Sequence, residues 1–149
     1  PFACGAMTEL FSKDRANECL SKGVVSFFSG GTGDPYFSTD TAGALRAIEI
    51  NADAMLMAKN GVKGVYDKDP KSYDDAVLIE YVHNVEELRS NISTEGKSTF
   101  GTGGMVTKLS AAELVNQYGI PMILTNSKEP DILGKLARGE KKATVFYAD

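Results

Sequence analysis

Apolar runs that alternate with helix-like runs predict an α/β fold: a largely parallel sheet covered on both faces, as a three-layer sandwich. Two observations carry this. Val24–Ser29 and Ala52–Ala58 are short apolar runs without alternation, the pattern of strands buried on both faces. Between them Thr41–Ile50 is helix-like, and glycine-rich turns separate the segments.

The elements follow in order. Thr8 is a plausible N-cap for a helix whose apolar face holds Leu10, Phe11 and Leu20, and Gly23 ends it. Val24–Ser29 is the first strand, followed by a glycine-rich loop and a helix to about Asn51. Ala52–Ala58 is the second strand, and Lys59–Pro70 is a loop dense in Gly, Asp and Lys. Val77–Val82 is a strand, and Asn84 caps a helix over Val85–Ser90. Asn91–Gly104 is polar and glycine-rich, which predicts a mobile loop. Met105–Tyr118 is an amphipathic helix ended by Gly119, and Pro121–Thr125 is a strand. Pro130 suits the first turn of a last helix ending near Gly139, and Lys142–Ala148 closes as a strand.

The chain has 149 residues, 42% hydrophobic and 24% charged, which suits one domain with a real core. Its net charge of -4 gives no electrostatic case for binding nucleic acid or an anionic membrane. No apolar run reaches the roughly 20 residues of a membrane span. Two cysteines, Cys4 and Cys19, are too few for a disulfide framework and fit a reduced, cytoplasmic setting. His83 is the sole histidine, without partners at metal-ligand spacing, so no metal site is expected.

Three loops carry chemistry. Gly30–Thr41 links a strand to a helix start, the geometry that holds phosphate on backbone N–H groups. It also carries the hydroxyls of Thr32, Ser38, Thr39 and Thr41 and the carboxylates of Asp34 and Asp40, a mixture suited to a phosphorylated substrate beside a charge-organising acid. Phe100–Lys108 also precedes a helix: its glycines can wrap oxygen atoms, Thr102 and Thr107 can donate, and Lys108 can follow charge on a transferring phosphoryl group. Its glycine spacing and the lack of Gly-Lys-Ser/Thr exclude a standard P-loop. In Lys59–Pro70, Tyr66 could lie against a base, and Asn60 or Asp69 could hydrogen-bond a base or ribose. An ordinary turn ended by Asp-Pro is the plainer alternative there, as a mobile loop with a solvated lysine is for Phe100–Lys108. If the three loops share one sheet edge, they meet beyond the carboxyl ends of the strands.

Together these loops resemble the amino-acid kinase family. Val24–Pro70 resembles bacterial uridylate (UMP) kinases, and residues 77–149, through Phe100–Leu109 and Ala111-Ala112, are similar to glutamate 5-kinases. The resemblance implies ATP-dependent, Mg²⁺-assisted phosphoryl transfer to UMP in the cytoplasm, by a homo-oligomer that binds nucleotides. A glutamate 5-kinase-like enzyme and a non-catalytic nucleotide-binding fragment are the alternatives. It also implies that residues 1–149 form the C-terminal, nucleotide-binding half of such a kinase. By the same resemblance Lys108 stabilises the transferring group and Asp40 organises catalytic lysines. Thr32, Gly33, Asp34, Pro35, Tyr36, Phe37, Ser38 and Thr39 then hold the acceptor. Asn60, Tyr66, Asp69, Thr102, Gly103, Gly104 and Met105 surround the nucleotide.

Overall fold

The computed structural model describes residues 5–61, 63–70, 72–94, 103–140 and 143–148. Thr102 and Lys142, like Cys4, lie outside the described residues. After a short 3-10 turn, the helices are α1 (Lys13–Ser21), α2 (Thr39–Glu49), α3 (Val85–Thr94), α4 (Gly103–Asn116) and α5 (Ile132–Ala137). The strands are β1 (Met55–Lys59), β2 (Val65–Tyr66), β3 (Leu78–Ile79), β4 (Tyr81–Val82), β5 (Met122–Asn126) and β6 (Thr144–Phe146).

Four strands form the main sheet in the order β1-β5-β6-β4, while β2 and β3 pair as a separate antiparallel ribbon. β1 runs parallel to β5 with Met55 opposite Met122 and Lys59 opposite Asn126. β4 is parallel to β6, and only β5–β6 is antiparallel. The α/β class and the mostly parallel sheet are therefore as the sequence predicts.

Local chemistry sets the helix ends. The Ser38 hydroxyl accepts from the Thr41 N–H at 3.1 Å and starts α2. Asn84 Oδ1 accepts from the Glu87 N–H at 3.0 Å and starts α3, as expected, although α3 continues to Thr94 into the segment predicted as a loop. Gly23 and Gly119 follow α1 and α4 at φ 74°, where a side chain would be strained. α2 packs on α4 through small residues: Ala44, Ala47, Ala111 and Ala112 are buried, and the pair covers β1 and β5. Val115 of α4, Met122 and Leu124 of β5 and Phe146 of β6 are fully buried, each stabilising by about 1.5–3 kcal/mol.

Several expectations are corrected. Val24–Ser29 is not a strand: Val25 and Phe27 are 77% and 92% exposed, because no strand among the described residues offers this run a backbone partner. Only Phe28 finds an aromatic neighbour, edge-on to Phe11 at 5.7 Å, and the Arg46 guanidinium lies 3.9 Å over the Phe11 ring. β1 is an edge strand with Ala58 exposed, rather than buried on both sides. The Val77–Val82 run is split at Glu80, with β3 joining the ribbon and β4 the main sheet. α1 begins after Ser12 instead of Thr8, since the Ser12 hydroxyl caps it at the Arg15 N–H and Asp14 sits in the first turn. Pro130 precedes α5 rather than entering it, because Asp131 caps that helix in a left-handed conformation.

The ribbon is tied to the main sheet by one side chain. Thr144 is fully buried; its hydroxyl accepts from the Val65 N–H at 2.8 Å and donates to the Ile79 carbonyl at 2.7 Å. Gly64 permits the approach, since a Cβ there would lie 2.5 Å from Thr144 Oγ1. Thr144→Val keeps the shape but orphans both backbone groups. It is expected to destabilise the chain by about 2 kcal/mol, measured as a lower urea midpoint at unchanged m-value.

Candidate functional site

Asp40 lies in the first turn of α2 and is 4% exposed. A carboxylate so deeply placed needs cations or donors around it. Two lysines supply them. Lys59, the last residue of β1, puts Nζ 2.6 Å from Asp40 Oδ1. Lys108, one turn into α4, puts Nζ 3.4 Å from Oδ2 and also donates to the Gly104 carbonyl at 2.8 Å. The Thr107 hydroxyl donates to Oδ2 at 2.9 Å. Lys59 further reaches the Thr39 hydroxyl at 3.4 Å.

The cluster thus joins the end of the first glycine loop, the carboxyl end of β1 and the start of α4. Two ammonium groups share one carboxylate, which leaves a net positive charge beside glycine-rich backbone. Burial pushes the Asp40 carboxyl up, but hydrogen bonds from Lys59 and Thr107 and the charges of Lys108 and Lys59 outweigh burial. The group is held below the usual carboxylate range.

Glycines shape the first loop. Gly30, Gly31 and Gly33 have positive φ, and Tyr36 shares that conformation at φ 68°. An open cavity of about 460 Å³ is lined by Gly30–Pro35, Phe37, Ser38 and Thr39. Thr32 Oγ1 accepts from the Asp34 N–H at 3.1 Å and holds the bend. Tyr36 points wholly into solvent, and Phe37 is 61% exposed.

The predicted residues divide into those the fold brings together and those it does not. Asp40, Thr39, Gly104 and Lys108 converge, and Gly103 opens the same helix. Asn60 directly follows Lys59 in an exposed turn. Tyr66 belongs to the ribbon, and in the turn that follows the Val77 N–H donates to Asp67 Oδ1 at 2.8 Å and the Ser72 hydroxyl donates to Asp69 Oδ2 at 2.9 Å. Met105 packs partly against the core. His83 is exposed and stacked on Tyr147, with ring centroids 4.8 Å apart. Lys59 and Thr107 are the residues that sequence reasoning left without a role at Asp40. The available signal for Lys59 was its position as the first charge after an apolar strand, at the carboxyl end where ligands gather.

Among the described residues no group of three or more His, Cys, Asp and Glu side chains could hold a metal ion. Asp40 is committed at both oxygens to lysines and a hydroxyl, so it is a counter-ion rather than a metal ligand. These donors suit the phosphates of a magnesium nucleotide, in which the metal arrives largely ligated by phosphate and water. Among the described residues no helix is long and apolar enough to cross a membrane.

By fold and geometry this is an α/β protein with glycine turns and paired lysines at the carboxyl end of a mostly parallel sheet. The model of the amino acid kinase family matches residues 4–126, and the chain belongs to that family. It is 48% identical over 109 residues to a glutamate 5-kinase of Alkaliphilus metalliredigens, covering 73% of this chain and 41% of that protein. It is 38% identical over 143 residues to a uridylate kinase of Rubrobacter xylanophilus, covering 96% of this chain and 51% of that protein. The crystal structure of the UMP kinase from Bacillus anthracis superposes with a TM-score of 0.79 at 32% identity, over 98% of this chain and 55% of that one. The chain therefore spans about half the length of these relatives.

Asp40→Asn tests the electrostatics. A carboxyl with a depressed folded pKa stabilises above its unfolded value near about 4, and that contribution disappears as pH falls through the folded value. The variant is expected to lose about 2 kcal/mol at pH 7, less than a fully buried pair because Lys59 is partly exposed. Its deficit should shrink towards zero in thermal melts at strongly acidic pH. A deficit independent of pH would remove the ion-pair account.

Proposed function

We propose that this chain is the C-terminal, nucleotide-binding half of a kinase that transfers the γ-phosphoryl group of ATP to UMP. The observation that carries the proposal is the under-neutralised lysine pair on Asp40, set between two glycine-rich helix starts. Phosphoryl transfer asks a protein for positioning and for cations where negative charge accumulates, with little covalent chemistry. Lys108 is held by Asp40 and the Gly104 carbonyl with its ammonium group at the start of α4. Its role is to follow charge on the transferring group. Asp40 fixes both lysines without neutralising them.

The first loop, Thr32–Thr39, offers backbone N–H groups and hydroxyls to the acceptor's own phosphate, which favours a nucleoside monophosphate over an amino acid. The ATP side falls to Gly103 and Gly104 at the start of α4, with Asn60, Tyr66 and Asp69 towards the base and ribose and Thr102 outside the described residues. Magnesium enters bound to ATP, as part of that substrate. An acceptor phosphate oxygen attacks the γ-phosphorus, the bond to the bridging oxygen breaks, and ADP leaves with the electron pair.

The similarity to glutamate 5-kinases favours a second reading, in which the same ATP site serves a carboxylate acceptor. Coupled turnover with UMP, CMP and glutamate, beside calorimetry with magnesium ATP and UMP, separates the two. Turnover of glutamate alone would overturn the UMP assignment, and no binding of either nucleotide would remove the kinase reading. Lys108→Ala is expected to lower kcat about 100-fold or more while ATP affinity changes little, because the charge it meets grows in the transition state. Loss of affinity at unchanged turnover would make Lys108 a binding residue only.

A further inference from the structure

The Asp40 carboxylate holds its two ammonium groups on different oxygens, and each group leans on a different element. Lys108 Nζ lies 3.4 Å from Oδ2 and donates to the Gly104 carbonyl at 2.8 Å, at the start of α4. Lys59 Nζ lies 2.6 Å from Oδ1 and 3.4 Å from the Thr39 hydroxyl, at the end of the first glycine loop. Access differs as well: the Lys59 side chain is 31% exposed and that of Lys108 10%. An ammonium group has three N–H donors. At Lys59 one meets Asp40 and a second makes the long contact to Thr39; among the described residues the third has no acceptor.

Thr39 also lines the open cavity of about 460 Å³ in the first loop. That lining includes no lysine or arginine, and its one charged side chain is the Asp34 carboxylate. Backbone N–H groups and hydroxyls can orient an anion there, but a phosphate dianion beside a carboxylate needs a cation at the rim. Lys59 meets that need, because its ammonium group already touches a residue of the lining. Its four-carbon stem lets the group swing from Thr39 towards the cavity while Asp40 keeps hold of it.

We propose that Lys59 is the acceptor-side cation: it exchanges the Thr39 hydroxyl for a phosphate oxygen of the acceptor, while Lys108 serves the transferring group. The inference rests on the kinase reading and deepens it by dividing the work of the two lysines. Two anions must approach each other for the reaction to start, and a cation on the acceptor lowers their repulsion. Lys59 keeps its proton throughout. The acceptor oxygen gives its electron pair to the γ-phosphorus, the bond to the bridging oxygen breaks, and ADP leaves with that pair. Lys59 thus acts on the phosphate of the acceptor and not on its base or ribose.

The test is calorimetry on the full 149-residue chain with UMP and with uridine, which lacks the phosphate. Lys59→Met keeps the length of the stem and removes the charge. It is expected to weaken UMP at least about tenfold and to leave uridine unchanged. Lys59→Arg restores the charge and should hold UMP within about threefold of wild type. Lys22→Met, at the end of α1 and ion-paired with Glu18, is the charge control and should bind both ligands as wild type does. Amine acetylation of the wild-type chain, read by mass spectrometry, decides the matter even where Lys59→Met fails to fold: UMP should slow modification of Lys59 about threefold or more, and uridine should not. Unchanged UMP affinity in Lys59→Met, equal losses for UMP and uridine, or equal acetylation of Lys59 with and without UMP would overturn this assignment and leave the kinase reading standing. Failure of the wild-type chain to bind either UMP or magnesium ATP would overturn both.

Discussion

Asp40 organises this molecule because it cannot stay charged and buried alone. Its two oxygens are claimed by residues distant in sequence, Lys59 on one and Lys108 with Thr107 on the other. Those contacts fix where α2 begins relative to the end of β1 and the first turn of α4. The small buried residues between α2 and α4 then let the two helices approach closely enough for the pairs to form. Core packing and site geometry are one constraint here: spreading the helices would break the ion pairs, and removing the carboxylate would leave two like charges facing each other.

The same arrangement places local positive charge on a protein of net charge -4, as the proposed phosphate site requires. The positive charge is local. It sits on two ammonium groups that share one carboxylate, and Lys108 also donates to the Gly104 carbonyl at the start of α4. Lys59 remains about a third exposed, whereas Lys108 is nearly enclosed. Solvent screening therefore weakens the first more than the second.

What could be read from the sequence was mostly what is local. The cap at Asn84 and the glycines at 23 and 119 act within a few residues, and the helix ends they mark are where the structure has them, save that α3 runs on to Thr94. Asp40 and Lys108 stand out through their glycine-rich surroundings, and the fold brings the two side chains together. Strand pairing is decided elsewhere in the chain. Val24–Ser29 has the composition of a buried strand, but composition cannot reveal that among the described residues no strand pairs with it. Glu80 gives no sign that the residues on either side of it join different sheets. Lys59 belongs to no motif; its importance comes from what the folded chain sets opposite it.

Thr144 carries a mechanical consequence. A single oxygen serves both the ribbon and β6, so tilting the ribbon must either stretch a buried contact or drag β6 with it. β6 is laced in turn to β5, and β5 to β1, whose terminal residue holds Asp40. Displacements of the hairpin and of the acid are therefore geared together through the sheet, with the hydroxyl as the tooth between them.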